Sequence, residues 1–138
     1  MKTASALLCA VVVAGCSTQP VATSKTTPVP ADRVLSTAYS KPAKDSGTLV
    51  VKRDSGLIGS GCNWTVSING GDIAVLASEE SVALYLPPGE AIVGVRPKVA
   101  LCAGALIETE VMIHPGRVKA LRLSVDWTGT FRLSPTAQ

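Results

Sequence analysis

Residues 63–77 read Asn-Trp-Thr-Val-Ser-Ile-Asn-Gly-Gly-Asp-Ile-Ala-Val-Leu-Ala, and this stretch decides the fold. Its first half alternates apolar and polar side chains, with Trp64, Val66 and Ile68 on one face, which is typical of a half-buried strand. Asn69-Gly70-Gly71 follows, and Asn and Gly readily adopt the positive φ angles of tight hairpin turns. We therefore expect a second strand over 72–77 to pair with the first.

Short runs of Val, Ile, Leu and Thr continue on both sides of this hairpin, separated by Gly, Pro and Asn. They predict further strands at 48–53, 81–86, 91–96, 106–113, 118–125 and 130–133. Pro87-Pro88-Gly89 is expected to end one strand sharply and to return the next one antiparallel to it. About seven or eight short strands at spacings of roughly 8 to 12 residues predict an all-β fold, a small antiparallel β-sandwich over 47–138.

The first 16 residues are organised differently. Lys2 precedes an apolar run over 4–13, and small residues then lead into Cys16. This is the layout of a secretory signal peptide with a cysteine at the cleavage position. The alternatives are an ordinary exported protein and a membrane-spanning helix, but a spanning helix needs about 20 apolar residues and the run here is shorter.

The sequence Val13-Ala14-Gly15-Cys16 resembles the lipobox of bacterial lipoproteins. The resemblance implies a signal peptide over 1–15, cleavage after Gly15 and acylation of Cys16. Each buried methylene contributes about 0.8 kcal/mol, so three acyl chains would hold the protein on a membrane. Ser17 stands where Asp would favour the inner membrane, which implies the outer membrane and a domain facing the periplasm.

The cysteines and the net charge limit the kinds of site that the chain is expected to form. Cys9 leaves with the signal peptide and Cys16 carries lipid, so Cys62 and Cys102 are expected to form a disulfide in an oxidising compartment. A metal site would need more Cys or His at ligand spacing, and the chain has one His, so neither metal nor cofactor is expected. Without Lys2, 12 of the 13 basic residues remain, against 10 acidic residues. So small a net positive charge argues against nucleic-acid binding.

Residues 16–46 are rich in Ser, Thr, Pro, Ala and Lys and hold few large apolar side chains. Such a segment does not bury enough apolar area to offset the entropy lost on ordering. We therefore expect the lipidated cysteine to be followed by a flexible tether. An alternative remains open for 31–39, which could form a short helical turn or pack Val34, Leu35 and Tyr39 on the domain.

The order of strands and turns carries a second resemblance. With Ile68-Asn69-Gly70 and Leu86-Pro87-Pro88-Gly89-Glu90 at its strand ends, the chain resembles the small β-sandwich domain of the DUF2846 type, which occurs in uncharacterised bacterial lipoproteins. The resemblance covers about 47–125 and rests on turns and strand ends. It implies a fold and offers no catalytic residues.

No catalytic pattern stands out in the chain. The glycine-rich stretch 55–62 precedes a strand and lacks the Lys and the helix of a phosphate loop. His114 is the only imidazole, and no nucleophile elbow accompanies it. Glu108 and Glu110 share one strand face and are predicted to be a solvated surface rather than a carboxylate pair across a cleft.

Loops on a rigid sandwich are the usual place for binding residues. The predicted disulfide would join two such loops, and the candidate binding surface there is Arg53, Leu57, Ile58, Arg96 and Lys98. Trp64 is expected in the core. We therefore expect a membrane-anchored lipoprotein whose domain is structural or binds a protein, without catalysis. The alternatives are a hydrolase inhibitor or a module for glycan or peptidoglycan fragments, although five aromatic residues are few for a glycan groove.

Overall fold

The computed structural model describes residues 18–57 and 59–137. The predicted signal peptide, the cleavage position at Gly15 and the lipidated Cys16 lie outside these residues. The described chain contains two single-turn 3-10 helices, Thr23–Lys25 and Ala31–Arg33. Its nine strands are β1 (Thr27–Pro28), β2 (Gly47–Arg53), β3 (Trp64–Ile68), β4 (Gly71–Leu76), β5 (Glu80–Leu86), β6 (Gly89–Pro97), β7 (Ile107–Ile113), β8 (Val118–Val125) and β9 (Phe131–Thr136).

The strands form two sheets that pack as a sandwich, which confirms the predicted all-β fold. The first sheet has the order β1-β5-β2-β8-β9 and the second the order β4-β3-β6-β7. Most neighbours are antiparallel, as predicted. Two pairs in the first sheet, β1 with β5 and β2 with β8, are parallel.

Alternation along the strands places one apolar row of each strand between the sheets. From the first sheet this core takes Leu49, Val51, Leu84, Leu121 and Leu123 among others, all at most 2 % exposed. The second sheet contributes mainly Val and Ile, together with Trp64, which is fully buried as predicted. The Trp64 ring lies 4.2 Å from the ring of Phe131 between centroids, so these two aromatic side chains close one end of the core.

The predicted hairpin is present and pairs β3 with β4 antiparallel. Its turn residues Asn69 and Gly70 both have positive φ, at 48° and 82°. These values match the left-handed conformations that tight hairpin turns require. A register shift between Val66 and Ser67 adds a bulge that the alternation alone does not reveal.

The connection through Pro87 and Pro88 differs from the prediction. We expected β6 to return antiparallel beside β5, but β5 pairs with β2 in the first sheet and β6 pairs with β3 and β7 in the second. The two prolines that end β5 also explain this difference, because successive prolines supply no N–H groups for hydrogen bonds between neighbouring strands. The chain therefore crosses between the sheets at this point.

Residues 18–46, which we call the N-terminal segment, do not form the predicted free tether. They lie along the sandwich, where Gln19 bridges to Ser55 and β1 adds a short parallel strand beside β5. Further along, Val34 bridges to Ala74 of β4. The segment thus crosses from the edge of the first sheet to the edge of the second. Hydrogen bonds hold it there, together with the half-buried side chains of Val29, Val34 and Tyr39.

The alternative left open for 31–39 describes this part of the chain better. Ala31–Arg33 forms a helical turn, and Tyr39 packs against the core. Val34 is half-buried, whereas Leu35 is 52 % exposed. Packing of the segment on the domain is therefore correct for Val34 and Tyr39.

Arg33 is the main side-chain anchor of the N-terminal segment. Its guanidinium binds both carboxylate oxygens of Glu80 and also donates to the Val75 carbonyl at 3.2 Å. Glu80 in turn accepts from the Ala77 N–H at 2.8 Å. This arrangement joins the helical turn to both sheets.

Replacing Arg33 with Met is expected to cost about 2 kcal/mol of unfolding free energy, because a partly buried, charge-assisted pair is lost and Glu80 keeps its desolvation cost. Proteolysis within 18–46 should become faster for the same reason. Arg132→Met is the matched control, since Arg132 is 70 % exposed and lies 3.7 Å from Asp126, a geometry worth about 0.5 kcal/mol or less. Equal urea midpoints and cleavage rates for the two variants would contradict this role of Arg33.

Candidate functional site

Four loops meet at one end of the sandwich, and we call this the loop end: 54–63, 77–79, 98–106 and 126–130. The register brings them together, because Arg53 at the end of β2 pairs with Leu123 near the end of β8. In the second sheet, Trp64 at the start of β3 pairs with Pro97 at the end of β6 and with Leu76 at the end of β4. The predicted candidate residues fall in or beside these loops.

The predicted disulfide between Cys62 and Cys102 is present and joins two loops of this end, with 5.8 Å between the two Cα atoms. Next to it, the Cα of Gly104 lies so close to the Trp64 ring that a Cβ on residue 104 would approach the ring to 2.8 Å. Gly104 also has a φ of +122°, which side chains rarely adopt. The 98–106 loop is therefore held against the core at two neighbouring points.

Arg53 does not belong to a binding surface, so this part of the prediction was wrong. It is 4 % exposed and lies on the inner face of β2, on the same side as Leu49 and Val51. Its guanidinium donates to the carbonyls of Cys62 and Gly59, and to that of Leu76 at 3.4 Å. The pKa of Arg53 is lowered from its ordinary value, because the effect of burial exceeds the opposite effect of the nearby Glu80 carboxylate. Arg53 therefore fixes the 54–63 loop from inside.

The other candidate residues lie on different surfaces. Arg96 is on the outer face of the second sheet, where it forms a 2.6 Å ion pair with Asp72. Lys98 is exposed just after β6, and Leu57 is 95 % exposed in the 54–63 loop. Ile58 lies outside the described residues. The structure therefore brings Lys98 and Leu57 to the loop end but does not form the predicted basic surface.

The loop end exposes apolar side chains that the sequence analysis did not select. Leu101 is 99 % exposed, Trp127 is 76 % exposed and Val99 is 51 % exposed. Their signal in the sequence is their position, since each lies between predicted strands and outside any alternating run. Apolar side chains in such places do not pack into the core and tend to face solvent.

The loop that presents Trp127 has a defined conformation. Oδ1 of Asp126 accepts from the backbone N–H groups of Thr128 and Thr130, at 2.9 and 3.0 Å, and from the Thr128 hydroxyl at 2.5 Å. These hydrogen bonds, led by the one from the Thr128 side chain, lower the pKa of Asp126 below its ordinary value. The ionised carboxylate thus holds a tight turn with the Trp127 side chain outside it.

The outer faces of the two sheets differ. The N-terminal segment covers part of the first, where Lys52 is buried and donates to the Thr23 hydroxyl at 3.2 Å. On the same face, buried Asp54 forms an ion pair with half-buried Arg122. The outer face of the second sheet has no such covering segment among the described residues over β6 and β7.

The exposed part of β6 and β7 mixes apolar and acidic side chains. Ile92 and Met112 are 38 % and 40 % exposed. The exposed acids on this face are Glu90, Glu108 and Glu110. Ile92, Glu108 and Glu110 also line a shallow depression of about 540 Å³ beside the Asn69-Gly70 turn. We call this surface the acidic face.

A smaller cavity of about 300 Å³ lies between the N-terminal segment and β5. Its walls are mainly apolar and include Val29, Val34, Ile73, Leu84 and Tyr85. Serine hydroxyls are the main polar groups there, and no charged side chain lines the cavity.

Within residues 18–57 and 59–137, no cluster of three or more His, Cys, Asp or Glu side chains is placed to hold a metal ion. No helix in this part of the chain is long and apolar enough to cross a membrane. His114 is exposed at the opposite end of the sandwich from the loop end, beside Arg117 and Lys119.

Comparison with known proteins adds no assignment, because no protein-family model matches the chain and no curated protein matches it.

Proposed function

We propose that this protein is a lipoprotein of the bacterial cell envelope, anchored through acyl chains on Cys16, whose domain of the DUF2846 type binds another protein and catalyses no reaction. The layout of Met1–Cys16 favours the anchor. The Cys62–Cys102 disulfide suits an exported protein, because such bonds persist in oxidising compartments. The outer membrane, facing the periplasm, is the expected location.

The observation that carries the binding proposal is the asymmetry between the two outer sheet faces. The N-terminal segment occupies part of the first, whereas the acidic face remains open over β6 and β7. Half-exposed Ile92 and Met112 supply apolar contact area, and the acids around them would select a partner with basic residues. A partner protein with a basic rim and an apolar centre therefore fits this surface best.

The anchor is tested by replacing Cys16 with Ala in the full-length protein. We expect the variant to leave the membrane fraction and to incorporate no labelled palmitate, because acylation needs the Cys16 thiol. Cys9→Ala is the matched control, since this cysteine lies within the predicted signal peptide and the variant should stay on membranes. Retention of the Cys16 variant in salt-washed membranes would contradict the anchor.

The binding surface is tested with a photo-crosslinking amino acid placed at Ile92 in cells. We expect one recurrent crosslinked protein, and a yield lower by about tenfold when Glu108 and Glu110 are both changed to Lys, because like charges then oppose the partner. The same crosslinker at Val118, which is 52 % exposed on the first sheet, is the control. Equal crosslinking from both positions, or a yield unchanged by charge reversal, would contradict the acidic face as the binding surface.

A further inference from the structure

The most exposed apolar side chains of the described residues lie at the loop end. Leu57 and Leu101 are 95 % and 99 % exposed, and Trp127 is 76 % exposed. Val99, at 51 %, lies in the same loop as Leu101. Exposed apolar side chains grouped on one surface mark a contact with a protein or a membrane.

The contacts at this end bring the three most exposed side chains into one region. Thr18 packs on Gly56, the residue before Leu57, with 3.0 Å between its Cα and a Cβ built on Gly56. The Thr18 N–H donates to the carbonyl of Val125, two residues before Trp127, at 3.0 Å. The Cys62–Cys102 disulfide then links the Leu57 loop to Leu101.

Thr18 also fixes where the preceding chain leaves the domain. Its hydroxyl donates to the Val125 carbonyl at 3.1 Å and accepts from the Val125 N–H at 3.0 Å, so residue 18 is held by β8 at three points. Cys16 is two residues away, and two extended residues span at most about 7 Å. A lipid on Cys16 would therefore keep the loop end close to the bilayer surface.

We propose that the loop end is a bilayer-contact surface, with Leu57, Leu101 and Trp127 inserted among the lipid headgroups beside the acylated cysteine. This inference rests on the proposed Cys16 anchor. Tryptophan favours the membrane interface, where its ring is apolar and its N–H remains hydrated. Exposed leucines beside it gain from burial at the boundary with the acyl chains.

The opposite end of the sandwich exposes less apolar area for this contact. His114, Arg117 and Lys119 surround a cavity of about 240 Å³ there, and its exposed apolar side chains, Met112 and Val118, are 40 % and 52 % exposed. The two ends thus give the domain a fixed orientation, with the loop end toward the lipid and the acidic face turned sideways. Bilayer contact also explains why apolar loops are held rigidly by a disulfide and by the Asp126 turn.

Fluorescence of Trp127 tests the proposal directly. The mature acylated protein is reconstituted into vesicles of phosphatidylethanolamine and phosphatidylglycerol with or without brominated acyl chains. We expect bromine to reduce the tryptophan emission by about twofold, because Trp127 lies at the interface. Trp127→Phe is the control and should show no quenching, since the remaining Trp64 is fully buried.

Loop variants provide the second measurement. Leu57→Ser with Leu101→Ser should abolish most of the Trp127 quenching while the protein stays acylated, because insertion loses its two largest aliphatic contacts. Val118→Ser at the opposite end should leave quenching unchanged. Since Leu57 and Leu101 are at least 95 % exposed and Val118 is 52 % exposed, serine at these positions is expected to change the stability of the parent protein little.

Acylation is measured separately by intact mass, so the two proposals fail in different ways. An acylated protein that floats with vesicles but whose Trp127 is unquenched overturns the bilayer contact and leaves the anchor in place. A protein without acyl groups overturns the anchor. In that protein, quenching at high vesicle concentration would still support the bilayer contact, and no quenching would overturn it too. The bilayer contact is also overturned if Leu57 and Leu101 of the acylated protein crosslink to another protein while Trp127 stays unquenched.

Discussion

Replacement of Arg53 with Met is expected to lower the free energy of unfolding by about 3 kcal/mol, because one buried and two partly buried carbonyls lose a charged donor. These carbonyls belong to Gly59, Cys62 and Leu76, and they join the 54–63 loop to the end of β4. Met fills a similar volume without donating a hydrogen bond. Urea unfolding followed by tryptophan fluorescence measures the change.

Two controls separate this role from a loss of charge. Arg117→Met removes a cation from an exposed position and should change stability by about 0.5 kcal/mol or less. Arg53→Lys keeps the charge but has no planar fork to reach three carbonyls, so it should recover only part of the loss. If Arg53→Met unfolded at the same urea concentration as the parent protein, the buried role assigned to Arg53 would be wrong.

Removal of the disulfide by Cys62→Ser with Cys102→Ser is expected to cost about 4 kcal/mol, the chain-entropy value for a loop of this length. The two cysteines are 40 residues apart, so the bond restricts a large part of the unfolded chain. For a domain of this size the loss is a large fraction of the total stability. Ala103→Ser, at an exposed position in the same loop, is the control and should be nearly neutral.

The disulfide and Arg53 are also expected to be coupled, since Arg53 donates to the carbonyl of Cys62 itself. Residues in contact depart from additivity by about 0.5–3 kcal/mol. A double-mutant cycle between Arg53→Met and the serine pair should therefore give less destabilisation than the sum of the separate changes. Strict additivity would mean that Arg53 and the disulfide hold the loop independently. A disulfide-free variant as stable as the parent would contradict the predicted loss of about 4 kcal/mol.

Local pattern was sufficient for most of the sandwich. The eight strands expected from alternation and turn residues correspond to β2 through β9, and the hairpin at Asn69-Gly70 has the predicted pairing. The pairing of β5 and β6 was not predictable in this way. Turn residues show where a strand ends, but the choice between returning in the same sheet and crossing to the other depends on partners distant in sequence.

The N-terminal segment was missed for a different reason. Its composition was judged by the apolar area that it buries, whereas Thr18, Thr26 and Arg33 hold it through hydrogen bonds to the sandwich. Such bonds depend on the position of exposed carbonyls and carboxylates in the folded domain. β1, with only Thr27 and Pro28, is too short to show any alternation.

Arg53 is the case in which the sequence held the answer. Leu49, Val51 and Arg53 follow each other at period two, so the same alternation that identifies β2 places Arg53 on the core face. The charge of Arg53 favours an exposed position, but its place in the alternation decides where the side chain lies. Leu101 and Trp127 were missed because loop conformation, and hence exposure, is set by the disulfide and the Asp126 turn.

The central strand β2 takes its two neighbours from far along the chain, since Val51 lies between Val82 and Leu121. Such a high contact order makes folding slow compared with helical domains of the same size. In the export proposed above, the chain would cross a membrane from its N-terminus, and the first sheet would stay incomplete until β9 had emerged. The bonds from Thr18 to Val125 could form only after the end of β8 had emerged, so most of the chain would cross before the N-terminal segment could be fixed.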